Sequence, residues 1–409
     1  MKTTDKKTLP DWGWLLLLML VVCLPRATID AYLPSLPAMA DALHGTDAQI
    51  QSTLTMYMVG YALSMLISGP LSDRYGRRPV LLGGMLVYLC ASAACATATS
   101  IPAIVVARIF QALGGCSGTV IGRVIVRERF DTTMQATMLS RISAGMALSP
   151  VVAPLAGSVV AQWCGWRGVF ALLGLAGTAA ALMVHRYLPE TRVRDAGNER
   201  HAGLLKTYLL LLGDRRFVRY SLAIGFVYCT YFPFIAESSM LFQRTLHVSG
   251  TVYAAIFGIT VLGYLIGSSI FRRTSSRFGI DAIILSAALV NLLGAAALWI
   301  WTSVASPSAW PIVVPMFVVM VSVGVSIPAC QFAVLQPFAK IAGTASGLFF
   351  FIQMAITAGC GGILSALSDG SARPMVVMTA ASSAAFLVVV AFFRQREIRW
   401  SLKGLLSRG

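Results

Sequence analysis

Twelve stretches of this chain run for about twenty residues or more with few charges, the first opening on WLLLLMLVVC (residues 14–23). Roughly 20 apolar residues in a helix match the hydrocarbon thickness of a bilayer. Lipid offers the backbone no hydrogen-bond partners, so each stretch is predicted to be a helix, and nothing alternates with the period of a barrel strand. The predicted helices cover 13–36, 49–71, 79–99, 101–124, 135–160, 167–187, 218–241, 251–271, 280–302, 310–336, 342–366 and 373–393. The expected fold class is an all-α polytopic membrane protein with twelve transmembrane helices.

Charge supports that reading. Charged residues make up 12% of the chain, against about 25% in soluble domains, too few to cover a water-facing surface. The net charge of +16 lies in short clusters between apolar runs, with no basic stripe interleaved with aromatics. The expected partner is therefore the lipid bilayer and not nucleic acid. Lys2, Lys6 and Lys7 followed by an apolar run and AMA (38–40) imitate a secretory signal. Arg26 and Asp30 within that run, and its length, favour a first transmembrane helix instead. Eight scattered cysteines contain no CxxC pair and read as small packing residues. No metal or cofactor is expected.

Arginine and lysine also set the orientation. With the N-terminus inside, the inner segments hold Arg74, Arg77, Arg78, Arg127, Arg129, the basic residues of 192–219, Arg272, Arg273, Arg277, Lys340 and the tail 394–409. The outer loops hold only Arg167, Arg244 and Arg373. Both termini are therefore expected in the cytoplasm. The longest polar connection divides the spans six and six, giving bundles over 1–188 and 218–393, a central loop over 189–217 and a basic tail. An internal repeat agrees: GYALSMLISGPLSDRYG (60–76) aligns without gaps to GYLIGSSIFRRTSSRFG (263–279). Repeated halves are how many secondary transporters are built.

GPLSDRYGRRP (69–79) joins the second and third helices. Gly76 permits a tight turn, Pro79 suits a helix's first turn, and Asp73 is placed to cap a helix or pair with Arg77 or Arg78. Topogenic charge plus a turn is a sufficient account on physics alone. The stretch nevertheless resembles the signature loop of the major facilitator superfamily at Gly69, Asp73, Arg74, Gly76, Arg77 and Arg78. That resemblance implies two pseudo-symmetric six-helix bundles, with this loop as a cytoplasmic latch. The second copy has Ser276 where Asp73 stands, so only the first should latch strongly.

ARIFQALGG (107–115) resembles the family's RxxQG pattern at Arg108 and Gln111, with Ala112 in place of the glycine. GMALSPVVAPLAG (145–157) is similar to the family's antiporter motif at Gly145, Pro150, Pro154 and Gly157, with Ser149 and Ser158 in place of glycines. A kinked, closely packed helix is the plainer reading. With IDAYLPSLP (29–37), WRGVF (166–170), LPET (188–191) and IAGTASGL (341–348), the similarity extends over about 12–393. It is nearest to bacterial drug:proton antiporters of the bicyclomycin and chloramphenicol resistance branch.

Two charges stand out within the spans. At a rise of about 1.5 Å per residue, Asp30 lies roughly 9 Å below the outer end of its helix and Arg108 roughly 10 Å below that of its own. The resemblance puts both helices on the cavity, so Arg108 is expected opposite Asp30. Charges at such depth default to functional roles. Burial favours the neutral acid and a nearby guanidinium favours the carboxylate, so the site is suited to take and release a proton. The competing reading is an i,i+4 pair in which Arg26 simply neutralises Asp30; Arg26 is alternatively a substrate contact.

Glu237 is the other acid within a span, either a second proton or cation site or a rim residue. Tyr57, Tyr61, Gln111, Gln331, Gln336 and Gln353 either line a cavity or bond helix to helix. No histidine lies mid-membrane, so no histidine relay is expected, and Arg123 and Arg141 sit where snorkelling explains them. No G-x-x-x-x-G-K-[ST] loop is present, so neither an ATP-driven pump nor an enzyme is expected. The expectation is proton-coupled efflux of small, largely apolar drugs by a monomer in the bacterial inner membrane. A proton symporter, or an exporter of one metabolite, on the same fold is the alternative.

Overall fold

A computed structural model describes residues 9–191, 204–305 and 308–406. Among these residues the secondary structure is entirely helical. The helices are α1 (Asp11–Asp30), α2 (Leu36–Ala42), α3 (Asp47–Tyr75), α4 (Arg77–Thr97), α5 (Ile101–Gly115), α6 (Ser117–Arg129), α7 (Thr132–Tyr187), α8 (Leu204–Gly213), α9 (Arg215–Met240), α10 (Gly250–Thr274), α11 (Ile280–Val304), α12 (Trp310–Leu335), α13 (Ala342–Leu367) and α14 (Arg373–Leu406). Eleven helical stretches are long and apolar enough to cross a membrane. The protein is a multi-pass membrane protein.

The eleven arise because the fifth and sixth predicted helices are one continuous element. At about 1.5 Å per residue, the 56 residues of α7 would reach some 84 Å, far beyond one bilayer. The element breaks at Gly165, which has φ 67° and ψ 179°. Only glycine takes such a conformation cheaply. No loop separates the two lengths, so the sequence reading of a six-residue gap at 161–166 gives way to a one-residue break.

Other boundaries follow local chemistry. Thr46 and Gln49 form a reciprocal cap at the start of α3, with Gln49 Oε1 accepting from Thr46 N at 2.9 Å. Asp131 and Asp214 cap α7 and α9 by accepting from Met134 N and Phe217 N, each at 2.9 Å. The expected central loop, 189–217, contains α8; its ten residues are apolar but too short to cross. Residues 192–203 of that loop, the lysines at 2, 6 and 7, and the side chains of the tail from 393 lie outside the described residues.

The chain packs as two compact units, Met1–Arg200 with Val248–Gly258, and His201–His247 with Ile259–Gly409. In the first, Trp14, Leu17, Leu18, Val21 and Val22 of α1 form a core with Leu81 and Met85 of α4, Ile121 and Ile125 of α6, and Met138 and Val184 of α7. In the second, polar side chains tie helices together. Asn291 donates to Thr230 Oγ1 (3.3 Å) and accepts from Ser383 Oγ (2.7 Å). Arg219 pairs with Asp281 at 3.0 Å, and Tyr220 donates to the same carboxylate at 2.8 Å.

Candidate functional site

Pro25 removes the amide that would donate to Val21, so α1 is weakened one turn before Asp30. Side chains take up the carbonyls around this point. Tyr57 donates to Pro25 O (3.0 Å), Thr28 to Leu24 O (2.7 Å) and Thr119 to Val22 O (3.5 Å). α1 ends at Asp30; Pro34 and Pro37 then open a 3-10 turn (Leu33–Ser35) and α2. The first span thus runs from Asp11 to Ala42, not 13–36. Asp30 is the last residue of α1, and the guanidinium of Arg108 lies at its level, against Thr28 and Tyr32 on either side of it.

Asp30 is fully buried, and Arg26 Nε lies 3.2 Å from its Oδ2. Pro25 perturbs the turn before this pair, whereas the turn from Arg26 to Asp30 is helical, which is why the i,i+4 pair forms. Neither carboxylate oxygen meets full hydrogen-bond geometry. In so buried a setting the two charges separate at little cost only if Asp30 takes a proton as they part.

Arg108 is also fully buried but does not reach Asp30. Its Nη1 donates to Thr28 O (3.3 Å) and to Gln111 Oε1 (2.7 Å). Its guanidinium carbon lies 4.2 Å from the ring centres of both Tyr32 and Tyr57 and 6.0 Å from that of Phe170. Each desolvated ring contact contributes about 2 kcal/mol. Gln111 donates onward to Ser92 (2.9 Å), and Tyr88 meets Thr28 (2.8 Å). Thr28 thus bridges the turn carrying Asp30 and the aromatic cage. Tyr57 and Gln111 are engaged helix to helix, and Tyr61 packs edge-on against Tyr57.

The turn between α3 and α4 is a second cluster. Arg77 bonds Asp73, Ser72 Oγ (2.9 Å) and Glu128 Oε1 (2.9 and 3.1 Å). Glu190 caps α4 by accepting from Arg77 N (2.9 Å) and Arg78 N (3.2 Å). Gly76, at φ 101°, must lack a side chain here, since a Cβ would fall 2.5 Å from Glu190 Oε2. Arg78 donates to His185 O (2.8 Å), Arg74 lies over Tyr75, and Gly69 is half-buried.

In α7, Pro150, Pro154 and Gly157 are buried. Side chains built on Gly145 and Gly157 would overlap Met19 and the Ala31 carbonyl respectively. Both pairs are twelve residues apart on their helices, so α7 and α1 run parallel with this face between them. The backbone keeps helical φ/ψ through both prolines, and the break to the sixth span falls beyond them at Gly165. In the second unit, Glu237 is buried beside Ser368 and the Met375 backbone, without full hydrogen-bond geometry at either oxygen. Gln353 is buried, Gln331 is half-buried and Gln336 is exposed.

Residues 15–359 match the Major Facilitator Superfamily. The chain belongs to this superfamily. It is 32% identical over 352 residues to a chloramphenicol resistance protein of Pseudomonas aeruginosa, covering 85% of this chain and 83% of that protein. It is 28% identical to multidrug resistance protein D of Escherichia coli (strain K12), covering 83% and 85%. A bicyclomycin resistance protein homolog of Haemophilus influenzae is 24% identical over 94% of this chain and 97% of its own. The fold is shared with a D-xylose-proton symporter (TM-score 0.71, 15% identity, 93% and 97% covered). It is also shared with an inward-facing bacterial homolog of the human lysosomal transporter Spinster (TM-score 0.70, 16% identity, 93% and 95% covered).

Within this superfamily member, sequence reasoning missed Glu128, Glu190, Tyr32 and Phe170 as partners. Each was in view: Glu190 in LPET, Phe170 in WRGVF, Tyr32 in IDAYLPSLP, and Glu128 between two topogenic arginines. What was missing was the long-range pairing that gives them a task.

Proposed function

We propose that the protein is a proton-coupled exporter of small, largely apolar drugs, working by alternating access. The observation that carries this reading is Asp30: fully buried, paired to Arg26 and set at the end of α1 within the first span. Asp30 takes a proton when Arg26 withdraws and releases it when the guanidinium or a drug dipole stabilises the carboxylate. Arg108, anchored on Thr28, Tyr32 and Tyr57, holds positive potential beside the site and biases that exchange. Tyr57, Tyr61 and the cage rings supply apolar, adaptable drug contacts. Glu237 is a second proton site in its own unit. The loop from Gly69 to Arg78 acts as a gate latch, and the Gly145–Gly157 face of α7 transmits movement to α1.

The remaining architecture is proposed with it. Counting α7 as two spans divided at Gly165 gives twelve, arranged as bundles over 1–188 and 218–393 with 189–217 between them. The arginine asymmetry supports cytoplasmic termini in a bacterial inner membrane. The relatives named for drug resistance support drugs of chloramphenicol or bicyclomycin type. The protein is expected to act as a monomer.

Purified protein in liposomes with an imposed pH gradient tests the direction of coupling. Antiport predicts drug movement against the proton gradient, lost in Asp30→Asn. Movement of solute with the protons instead identifies a symporter, a reading the shared fold with a proton symporter keeps in play.

A further inference from the structure

A cleft of about 440 Å³ opens within the second unit, between the end of α10, the first half of α11 and the middle of α12. That lies within the roughly 300–1,000 Å³ of small-ligand pockets. Its walls include Ile270, Phe278, Ile283, Val290, Val321 and Val325. Three lining hydroxyls are already committed: Thr274 donates to Ile270 O (2.9 Å), Ser286 to Ile283 O (2.9 Å) and Ser322 to Ala287 O (2.6 Å). The surface left for a guest is hydrocarbon. Ile270, Phe278 and Val290 are exposed, as are Leu289, Leu293 and Ile300 along α11. An exposed face without a charged residue on a membrane-spanning helix meets acyl chains, so the cleft opens towards lipid.

One end of the cleft is strongly basic. Arg272 and Arg273 end α10, and Arg277 lies in the turn just before Phe278; all three are exposed. Arg272 donates to Ser269 Oγ (3.0 Å). Among the described residues no ion pair joins Arg272, Arg273 or Arg277, and nearby Asp281 is held by Arg219 and Tyr220. The internal repeat explains the imbalance. In the first copy Arg77 is enclosed by Asp73 and Glu128. In the second, Ser276 replaces the aspartate, and Ile280 stands where Arg77 does. Of the rim only Arg277 has a counterpart, Arg74; Arg272 and Arg273 stand where Gly69 and Pro70 do, and Asp281, where Arg78 does, is already held by Arg219 and Tyr220.

We propose that this cleft binds an anionic phospholipid, one acyl chain lying along α11 and its phosphate held by Arg273 and Arg277. Each part of such a lipid meets its complement: the chain meets the dry walls, and the phosphate meets guanidiniums at the membrane surface. A zwitterionic lipid offers the same chain but no net charge for the rim, so it binds more weakly. The site needs only the membrane-spanning character of these helices and is independent of the direction of transport.

The test places the full chain in nanodiscs containing phosphatidylglycerol with a photoactivatable diazirine near the acyl terminus. A phosphatidylcholine probe with identical chains runs in parallel. Irradiation, digestion and mass spectrometry should map phosphatidylglycerol adducts to 283–290 and 321–325, about tenfold above the phosphatidylcholine probe. Arg273→Ala with Arg277→Ala, both on the exposed rim, should equalise the two probes. Ser286→Trp should clear adducts from the cleft while leaving those near Ile300 unchanged, which separates filling from misfolding. Equal labelling by both probes in the unaltered protein overturns the proposal in favour of ordinary surrounding lipid. Displacement of the adducts by a transported drug, with no headgroup preference, overturns it in favour of a drug route.

Discussion

The Ala31 carbonyl oxygen occupies the space that a side chain on Gly157 would need. Ala31 is the residue after Asp30, at the break between α1 and the following turn. The antiporter-like face of α7 is thereby keyed to the one point in α1 where a buried carboxylate and a helix end coincide. A shift of α7 along its axis must move that point, because close-packed interiors transmit displacement and do not absorb it.

Gly157→Ala should therefore injure both packing and transport. The added carbon overlaps a backbone oxygen, so α1 and α7 must part locally, at a cost of about 1–3 kcal/mol or more that lowers the thermal midpoint. Drug flux in proteoliposomes should fall by an order of magnitude or more. Gly362→Ala, where an added Cβ meets nothing within 4 Å, should leave both quantities unchanged. Unaltered flux in Gly157→Ala would sever the proposed link between α7 and Asp30.

Arg26 and Asp30 make a second, separable prediction. Removing one partner strands a buried charge, which costs about 3–5 kcal/mol when the charge is kept. Arg26→Met should accordingly destabilise strongly at high pH, where Asp30 is kept charged, and much less at low pH, where it takes a proton; Arg26→Met with Asp30→Asn should remove that pH dependence. Neither variant should couple drug to proton movement. Thermal melts read the first effect and pH-dye release on drug addition reads the second. A double variant that still releases protons would place the carrier elsewhere, with Glu237 the next residue to examine.

Arg108→Lys keeps the charge but not the geometry. Lysine lacks the planar fork that spans Thr28 O and Gln111 while lying over Tyr32 and Tyr57. Loss of one desolvated ring contact alone is worth roughly tenfold or more in an equilibrium. The melting midpoint should fall, and flux per folded molecule should fall by at least that factor as well. Retention of full flux would reduce Arg108 to a packing residue.

Much of this was legible in the chain, for identifiable reasons. Hydrophobic runs report helices in lipid directly, because no other spanning structure is available to them. Asp30 and Arg108 stood out because charge is rare and costly within a span, and the Gly69–Arg78 turn because it sets an acid and three arginines between two apolar runs. What failed depended on three-dimensional detail. Arg108 was expected opposite Asp30 from matching depth and a shared cavity; its guanidinium reaches the Thr28 carbonyl two residues before Asp30, and the prolines at 34 and 37 lengthen the first span to Ala42. The boundary between the fifth and sixth spans was expected as a loop at 161–166 and is a one-residue break inside that stretch, at Gly165, where positive φ decides. Glu190 lies 113 positions beyond Arg77, and no local pattern announces such a cap.

Glu190 also supports the most local of the predictions. Its carboxylate accepts the first two amides of α4, groups with no acceptor inside the helix, and its negative charge faces the positive end of the helix dipole. Glu190→Ala should cost about 0.5–2 kcal/mol, as loss of an N-terminal cap does. Glu190→Gln, which keeps acceptor atoms but not the charge, should recover part of it. The damage should be confined to the α3–α4 turn: hydrogen exchange should quicken at Arg77 and Arg78 while the amides of the α1 core around Leu17 and Leu18 stay protected. Glu128→Gln should instead loosen the Arg77 side chain, leaving those two amides protected by Glu190. If Glu190→Ala left exchange at Arg77 unchanged, the cap would carry no weight, and Arg77 would be held by Asp73 and Glu128 alone.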